Sequence, residues 1–500
     1  METVCGVDLG TQSCKVIVYD PIRKKIVSKV QAPLSIIARN DGTREQLGSW
    51  YEKALLECFR AIRLELRQTI VAIGVSGQQH GFVPLDENGE VIRPVKLWND
   101  TSTAAECIEL TRMAGGQESL LRETGILMLP GYTAPKIYWL KKNEPESYAR
   151  LRHVLLPHDF INFLLTDNYA TEYGDASGTA LFDVRKRTWS KPICDLIDPN
   201  LLSLLPKLIA SDKPVGIVGR KAAERFGIPQ GAVVAAGGGD NMMSAIGTGC
   251  VRDGFLTMSL GTSGTLYGYS ASPVVDPQGN LAAFCSSTGG WLPLLCTMNC
   301  TVASEQVRGL FEMSVEQMNE AAAASSIGAE GIVVLPFFNG ERIPNLPEGR
   351  ASIMGATVAN FSRANITRAA MEAAIFGMRV GLETFDQLHF PAREIRLVGG
   401  GSKSELWRNI AANVTALPIR IPKEEEAAAL GAALQAFWCF ENSRKNRRIS
   451  IEEIVDEHVS LEEGMSIEPD VAQVREYKVA YAVYMKYLSA LSPLYKTNQI

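Results

Sequence analysis

A short strand–turn–strand segment occurs twice in this chain, far apart. "CGVDLGTQSCKVIVYD" begins at Cys5, and "GFLTMSLGTSGTLYGYS" begins at Gly254. Both carry Leu-Gly-Thr, as Leu9-Gly10-Thr11 and Leu260-Gly261-Thr262, 251 residues apart in a chain of 500. Solenoid periods are about 20–50 residues, so a repeat of this length predicts a duplicated domain instead. Three residues recur easily by chance. The constraint comes from their matched setting, a β-branched run on each side of a Gly/Thr/Ser turn. A chain this long also exceeds one ordinary domain and predicts two or three.

The elements around the first copy alternate. "TVCGVDLG", "CKVIVYD" and "KIVSKVQA" read as three strands of a meander. Apolar residues every three to four positions predict a helix over "LGSWYEKALLECFRAIRLEL". "IVAIGVSGQQHG" reads as a buried strand that ends in a polar loop, and helices are expected at 101–115, 134–142 and 159–165. An apolar strand at 233–236 feeds the stretch "GGGDN". After the second copy come a long helix at 362–388, the strand "IRLVGGG" and a helix from Glu405. The run "ENSRKNRR" at 441–448 reads as a basic solvated loop. The tail "DVAQVREYKVAYAVYMKYLSAL" reads as a helix packed on a domain surface.

A net charge of −5 offers no general attraction for nucleic acid or for an anionic membrane. No window approaches the length of a transmembrane helix, and the N-terminus lacks the regions of a signal peptide. The ten cysteines are scattered, with no CxxC, and the five histidines do not cluster. Zinc is disfavoured, and free thiols in a reducing cytoplasm are the simple reading.

The chemistry gathers in glycine-rich turns. Successive N–H groups in a turn form a nest for phosphate oxygens, and two such turns, one per half, could hold phosphate. A third glycine cluster, "VGGGSKSELW" at 398–407, lies between a strand and a helix, where phosphates or a sugar can approach a helix N-terminus. There is no GxxxxGK[ST], and no GxGxxG opens a βαβ unit, so neither a P-loop nor a dinucleotide fold is expected. In "GGGDN", Asp240 is either a cap of a short helix or a carboxylate set beside bare backbone to take a proton from a ligand. Asp8 ends the first strand and is either a turn cap or an acid near a metal-bound nucleotide. Its counterpart in the second copy is Ser259, so the repeat breaks where a charge matters.

The stretches "GYTAPKIYWLKKN" at 131–143 and "ASIMGATVANFSRANITRAAME" at 351–372 resemble the two signatures of the FGGY carbohydrate kinases. The second departs at Ala356, where a larger aliphatic residue is usual. The resemblance runs from Val7 to about Gly431. It implies an α/β protein with two duplicated RNase H-like domains, of the actin/hexokinase/Hsp70 superfamily, around an ATP cleft. The implied limits are residues 1–247 for an N-terminal domain with the sugar site and the catalytic base, and 248–440 for an ATP-binding C-terminal domain. Residues 441–500 would be a helical extension packed on the domains.

Within the family, "GQQHG" at 77–81, "LWND" at 97–100 and "PGYTAPK" at 130–136 look most like the members that phosphorylate D-xylulose. The resemblance makes Asp240 the general base, with Asn241, Gln79 and His80 as sugar-binding residues. Many bacterial members have Met where Gln79 stands, which affects the fit to the sugar. Thr11, Gly261, Thr262, Gly399, Gly400, Gly401 and Lys403 fall on its ATP-binding positions, with a solvated lysine the equal alternative for Lys403. Asp8 would hold Mg²⁺ through water. The expected reaction is transfer from ATP to D-xylulose, giving the 5-phosphate. The alternatives are another ketopentose or sugar acid, such as ribulose or gluconate, or a non-catalytic actin-like or Hsp70-like binding protein. A small-molecule sugar partner, a cytoplasmic location and a homodimer are consistent with the family.

Overall fold

The computed structural model describes residues 2–444 and 448–496. The chain forms two compact units that interleave along the sequence. The first comprises residues 1–251, 269–293 and 426–459; the second comprises 252–268, 294–425 and 460–500.

The first unit is built on the expected meander. Strands β1 (Thr3–Leu9), β2 (Ser13–Asp20) and β3 (Lys25–Pro33) pair antiparallel. The helix α1 (Gly48–Ala61) follows, then β4 (Ile70–Gly77), which lies parallel to β1. Helices α2 (Ala104–Met113), α3 (Thr133–Asn143) and α4 (Pro157–Thr166) agree with the spacing to within a few residues. Strand β5 (Pro214–Ile217) runs antiparallel to β6 (Val233–Ala235). β6 and the two-residue β7 (Gly238–Gly239) both lie parallel to β4. The sheet order is β5-β6-β4-β1-β2-β3. Val7, Leu9, Val16, Val18, Ile73, Val75 and Val234 are fully buried, with Tyr51, Leu55 and Phe59 of α1 in the same core. Helix α5 (Asp240–Thr248) starts directly from β7.

The second unit repeats this plan in shorter form. Strand β8 (Phe255–Leu260) pairs antiparallel with β9 (Gly264–Gly268), and β9 pairs with residues 294–297 of β10 (Trp291–Thr297). The long helix α6 (Arg363–Gln387) leads to β11 (Glu394–Val398), parallel to β8 as β4 is to β1. Helix α7 (Glu405–Thr415) and β12 (Ile419–Arg420) follow. The two hairpins differ by one residue, since Leu9 pairs with Cys14 whereas Leu260 pairs with Gly264. The tail forms the helix Val471–Lys496, burying Tyr477, Tyr484 and Leu488 in the second unit.

Residues 441–459 fall in the first unit and 460–500 in the second. One expectation at the C-terminal end is corrected. The basic run at 441–448 is not all loop. Glu441–Arg444 complete a helix that begins at Ala427, and residues 445–447 lie outside the described residues. This return helix, Ala427–Arg444, crosses the first unit's sheet and packs on α5. It sits on bare backbone. A Cβ on Gly6 would lie 1.9 Å from the Ala429 carbonyl oxygen, and one on Gly74 2.0 Å from that of Ala432. On the α5 side, a Cβ on Gly247 would lie 1.9 Å from the Ala427 oxygen, and one on Gly431 1.8 Å from that of Met243.

These contacts separate two helical glycines by consequence. Gly431→Ala must push two backbones apart, and overpacking of this kind costs about 1–3 kcal/mol. Gly377→Ala in α6, where a Cβ meets nothing within 4 Å, should gain about 0.5–1 kcal/mol from helix propensity alone. Urea unfolding of the two variants checks this. Equal effects would mean that the return helix is not seated on its glycines.

Candidate active site

The register places the candidate residues of the first unit on one sheet edge. Asp8 stands opposite Ser76, Leu9 opposite Gly77, and Gly239 also opposite Gly77, all in parallel pairs. The chain therefore leaves β1, β4 and β7 side by side at their C-terminal ends, where open α/β sheets bind ligands. Asp8 ends the first, Gln79 and His80 follow the second, and Asp240 and Asn241 follow the third.

Asp240 is the first residue of α5 and does not cap it; Gly239 holds the cap position. Its Oδ1 accepts from the Asn241 backbone N–H at 2.8 Å and from Asn241 Nδ2 at 3.0 Å. Asn241 Nδ2 also donates to Gln79 Oε1 at 2.9 Å. Both amide hydrogens of Asn241 are thus directed at protein groups. Burial, then the negative charges of Asp8 and Asp175, push the Asp240 carboxyl up to about 7, against the opposing bonds from Asn241. Asp8 accepts from the Ser76 hydroxyl at 2.9 Å, and burial raises its pKa too.

His80 adopts a left-handed backbone conformation, φ 64°. Its Nδ1 lies 2.7 Å from the Gly178 carbonyl, which can only accept, so Nδ1 carries the hydrogen and Nε2 is the acceptor of the neutral ring. The ring packs on Tyr132 at 4.4 Å between centroids. Lys136, fully buried in α3, donates 2.7 Å bonds to the carbonyls of both His80 and Gly131. Burial draws its pKa well below the usual lysine value. The first signature stretch thereby holds the "GQQHG" loop. A lysine in a helix preceded by Gly-Tyr-Thr gives no local sign of this role in the sequence.

Sequence reasoning also missed a buried ionisable cluster behind these residues. His158, fully buried, has Nδ1 2.7 Å from Asp175 and Nε2 2.9 Å from Asp159. Burial alone would lower its pKa, but the two carboxylates raise it well above the usual value. Glu172 accepts from the backbone N–H groups of Gly174 and Asp175, and burial pushes its carboxyl up to about 7. The only local signal was "GDASGT" at 174–179, which reads as a turn.

The glycines of "GGGDN" meet protein on their Cβ sides. A Cβ on Gly237 would lie 2.5 Å from the Val75 oxygen and 3.0 Å from the His158 ring, and one on Gly238 2.4 Å from Ser287 Oγ. One on Gly239 would lie 2.7 Å from the Gln79 side chain. The missing side chains therefore make room for the buried cluster and for Gln79.

The remaining candidates divide between the units. Thr11 stands in the β1–β2 turn of the first, its hydroxyl donating to Gln78 Oε1 at 3.1 Å and accepting from Trp98 Nε1 at 3.0 Å. Gly261, Thr262, Gly399, Gly400, Gly401 and Lys403 lie in the second, after the parallel strands β8 and β11. Gly399, at φ 87°, and Gly401 both press on Leu260. Lys403 is exposed and pairs with Glu425 at 2.8 Å. Among the described residues no group of three or more His, Cys, Asp or Glu side chains forms a metal cluster.

Residues 3–247 match the N-terminal domain, and 256–440 the C-terminal domain, of the FGGY family of carbohydrate kinases. The chain belongs to this family and is a carbohydrate kinase with its two-domain α/β fold, of the actin and hexokinase class. It is 42% identical to a protein of Haemophilus influenzae named xylulose kinase, covering 97% of this chain and 99% of that one. A xylulose kinase of Streptomyces rubiginosus is 34% identical, covering 87% of each chain. A crystal structure of a "xyloylose kinase" from Brucella ovis matches with a TM-score of 0.91 at 29% identity, covering 99% of this chain and 100% of that one.

The raised Asp240 carboxyl has a stability consequence. An acid whose folded pKa lies above its unfolded one destabilises the fold as pH rises from the unfolded value, about 4, to the folded one, about 7. Asp240→Asn should therefore be more stable than the parent at pH 8, by about 1–2 kcal/mol after allowing for solvent access. At pH 4 the difference should vanish. Thermal melts at both pH values check this, and a gap that does not grow with pH would contradict it.

Proposed function

We propose that the protein phosphorylates D-xylulose at its 5-hydroxyl with ATP, and that Asp240 is the general base. The near-full-length likeness to the Haemophilus influenzae protein named xylulose kinase carries the choice of sugar. The convergence of Asp240, Asn241, Gln79 and His80 at the ends of β4 and β7 supports the mechanism.

In this reading the sugar's terminal hydroxyl lies against Asp240. The carboxylate accepts its proton as the oxygen bonds to the γ-phosphorus and the bond to the ADP oxygen breaks. A pKa near 7 leaves the base about half ionised at neutral pH and basic enough to take the proton. The Nε2 of His80 accepts from a sugar hydroxyl, and Lys136 and Gly178 keep the ring and its loop in place. Gln79 orients Asn241, which in turn orients the base.

The first unit thus supplies sugar recognition and the base, with the β1–β2 turn at Thr11 facing phosphate. The second supplies the nucleotide loops at Gly261–Thr262 and Gly399–Lys403. Asp8 and Asp240 are hard oxygen donors whose carboxyls burial raises, so a cation beside them would favour their ionised forms, which fits a Mg²⁺ ion held near Asp8 through water. When bound, that ion would neutralise phosphate charge. None of the ten cysteines is in a disulfide, which supports a cytoplasmic location.

A sugar panel coupled to ADP formation tests the substrate. D-Xylulose should give the highest kcat/KM, and a higher value for ribulose or gluconate would overturn the choice. Its kcat/KM should rise with pH through about 7 and level off above, because the base works ionised. Asp240→Asn should lower kcat by about 10²–10⁴-fold and abolish that rise; parent-like turnover would remove Asp240 from the role.

Sugar recognition has its own check. His80→Ala should raise KM for the sugar about 2- to 12-fold, the equivalent of one neutral hydrogen bond, and leave KM for ATP unchanged. An unchanged sugar KM would take His80 out of the sugar site.

A further inference from the structure

Gln435 lies midway along the return helix with its side chain fully buried. Its Oε1 accepts from the Gly237 N–H at 2.8 Å, and its Nε2 donates to the Gly237 carbonyl at 3.0 Å. One amide side chain thus meets both backbone groups of one residue, as a neighbouring strand would.

The need for it is local. β6 ends at Ala235 and β7 begins at Gly238, so the chain between them has left the ladder on β4. Gly237 stands there at φ 77°, with the Val75 oxygen 2.5 Å from where its Cβ would be. Asn162 Nδ2 holds the preceding carbonyl, that of Ala236, at 2.9 Å. Gln435 holds the next residue from the opposite face of the sheet. Asp240 follows three residues later. Its carboxylate direction depends on where this short loop ends, since β7 is only two residues long.

We propose that Gln435 is a positioning residue for phosphoryl transfer, fixing Gly237 and through it the Asp240 carboxylate. The proposal rests on Asp240 being the base. Buried backbone groups need partners in any fold, so stability alone could explain a polar residue here. Positioning predicts something more specific. A shift of about 1 Å in a reacting group can cost about 10²-fold in rate. Gln79 and His80 stand on the β4 loop, which Gln435 does not touch, so sugar affinity should be spared.

Gln435→Met removes both hydrogen bonds at nearly constant volume. Assayed with D-xylulose and ATP, kcat per folded molecule should fall about 10- to 100-fold, with both KM values within about threefold of the parent. Unfolding midpoints are measured alongside. A lowered midpoint with parent-like kcat would mean that Gln435 only stabilises the fold, and the proposal would be overturned. If Gln435→Met yields no folded protein, Gln435→Asn keeps the amide one methylene too short, and the same two outcomes decide. Asp240→Asn is assayed in parallel. If it turns over like the parent, the base assignment falls and the proposal with it. If it is inactive while the Gln435 variant matches the parent, only the role of Gln435 is refuted.

Discussion

The first unit depends on the approach of one helix to bare backbone. The return helix meets β1 at Gly6, β4 at Gly74 and α5 at Gly247, and offers its own Gly431 to Met243. At each point a methyl group would fall about 2 Å from a carbonyl oxygen. Glycine inside a helix costs about 1 kcal/mol against alanine, and two of these four are helical. The cost is offset by contact at backbone distance, where close-packed interiors gain most dispersion energy and have least freedom to shift. The three elements seated on the helix carry Asp8, the Gln79–His80 loop and Asp240. The spacing of the candidate site is therefore set behind it, by residues that touch no ligand.

The same crowding shapes the electrostatics. Asp240 begins a helix, where partial positive charge favours an ionised carboxylate. Asn241 adds two hydrogen bonds to one of its oxygens. Against these stand burial and the charges of Asp8 and Asp175, and these prevail. The outcome near 7 is a compromise suited to a base. Burial is the largest influence, the two acids add to it, and the bonds from Asn241 oppose it.

Much of this was legible in the sequence, because turn chemistry and strand spacing are local. The paired Leu-Gly-Thr turns announced the duplication, and the "GGGDN" stretch marked the carboxylate beside bare backbone. The return helix was not legible. "AAALGAALQAFWCF" is apolar on all sides, so it reads as buried without saying against which unit. The glycines read as bare backbone, but the sequence does not announce that their Cβ sides face His158, Ser287 and Gln79. No rule of spacing links position 158 to 175, or 435 to 237. The partners of the Thr11 hydroxyl, Gln78 and Trp98, are likewise 67 and 87 residues away along the chain. Such assignments turn on which partner is nearest in space.

The duplication shows how the two units diverged in charge. In the first, Asp8 stands beside Ser76 across the parallel pair and accepts its hydroxyl hydrogen. In the second, Ser259 stands beside Val398 at the corresponding place. The second copy lacks both the acid and the donor that steadies it. A buried acid without a donor is costly, and a donor without an acceptor is little better, so the two are expected to be lost or kept together. The second unit's parallel strands lead instead into Gly261–Thr262 and Gly399–Gly401, with no carboxylate at the place of Asp8. At this one pair of positions the two units thus differ in charge, an acid with its donor in the first and a neutral pair in the second, which fits the division of roles proposed above.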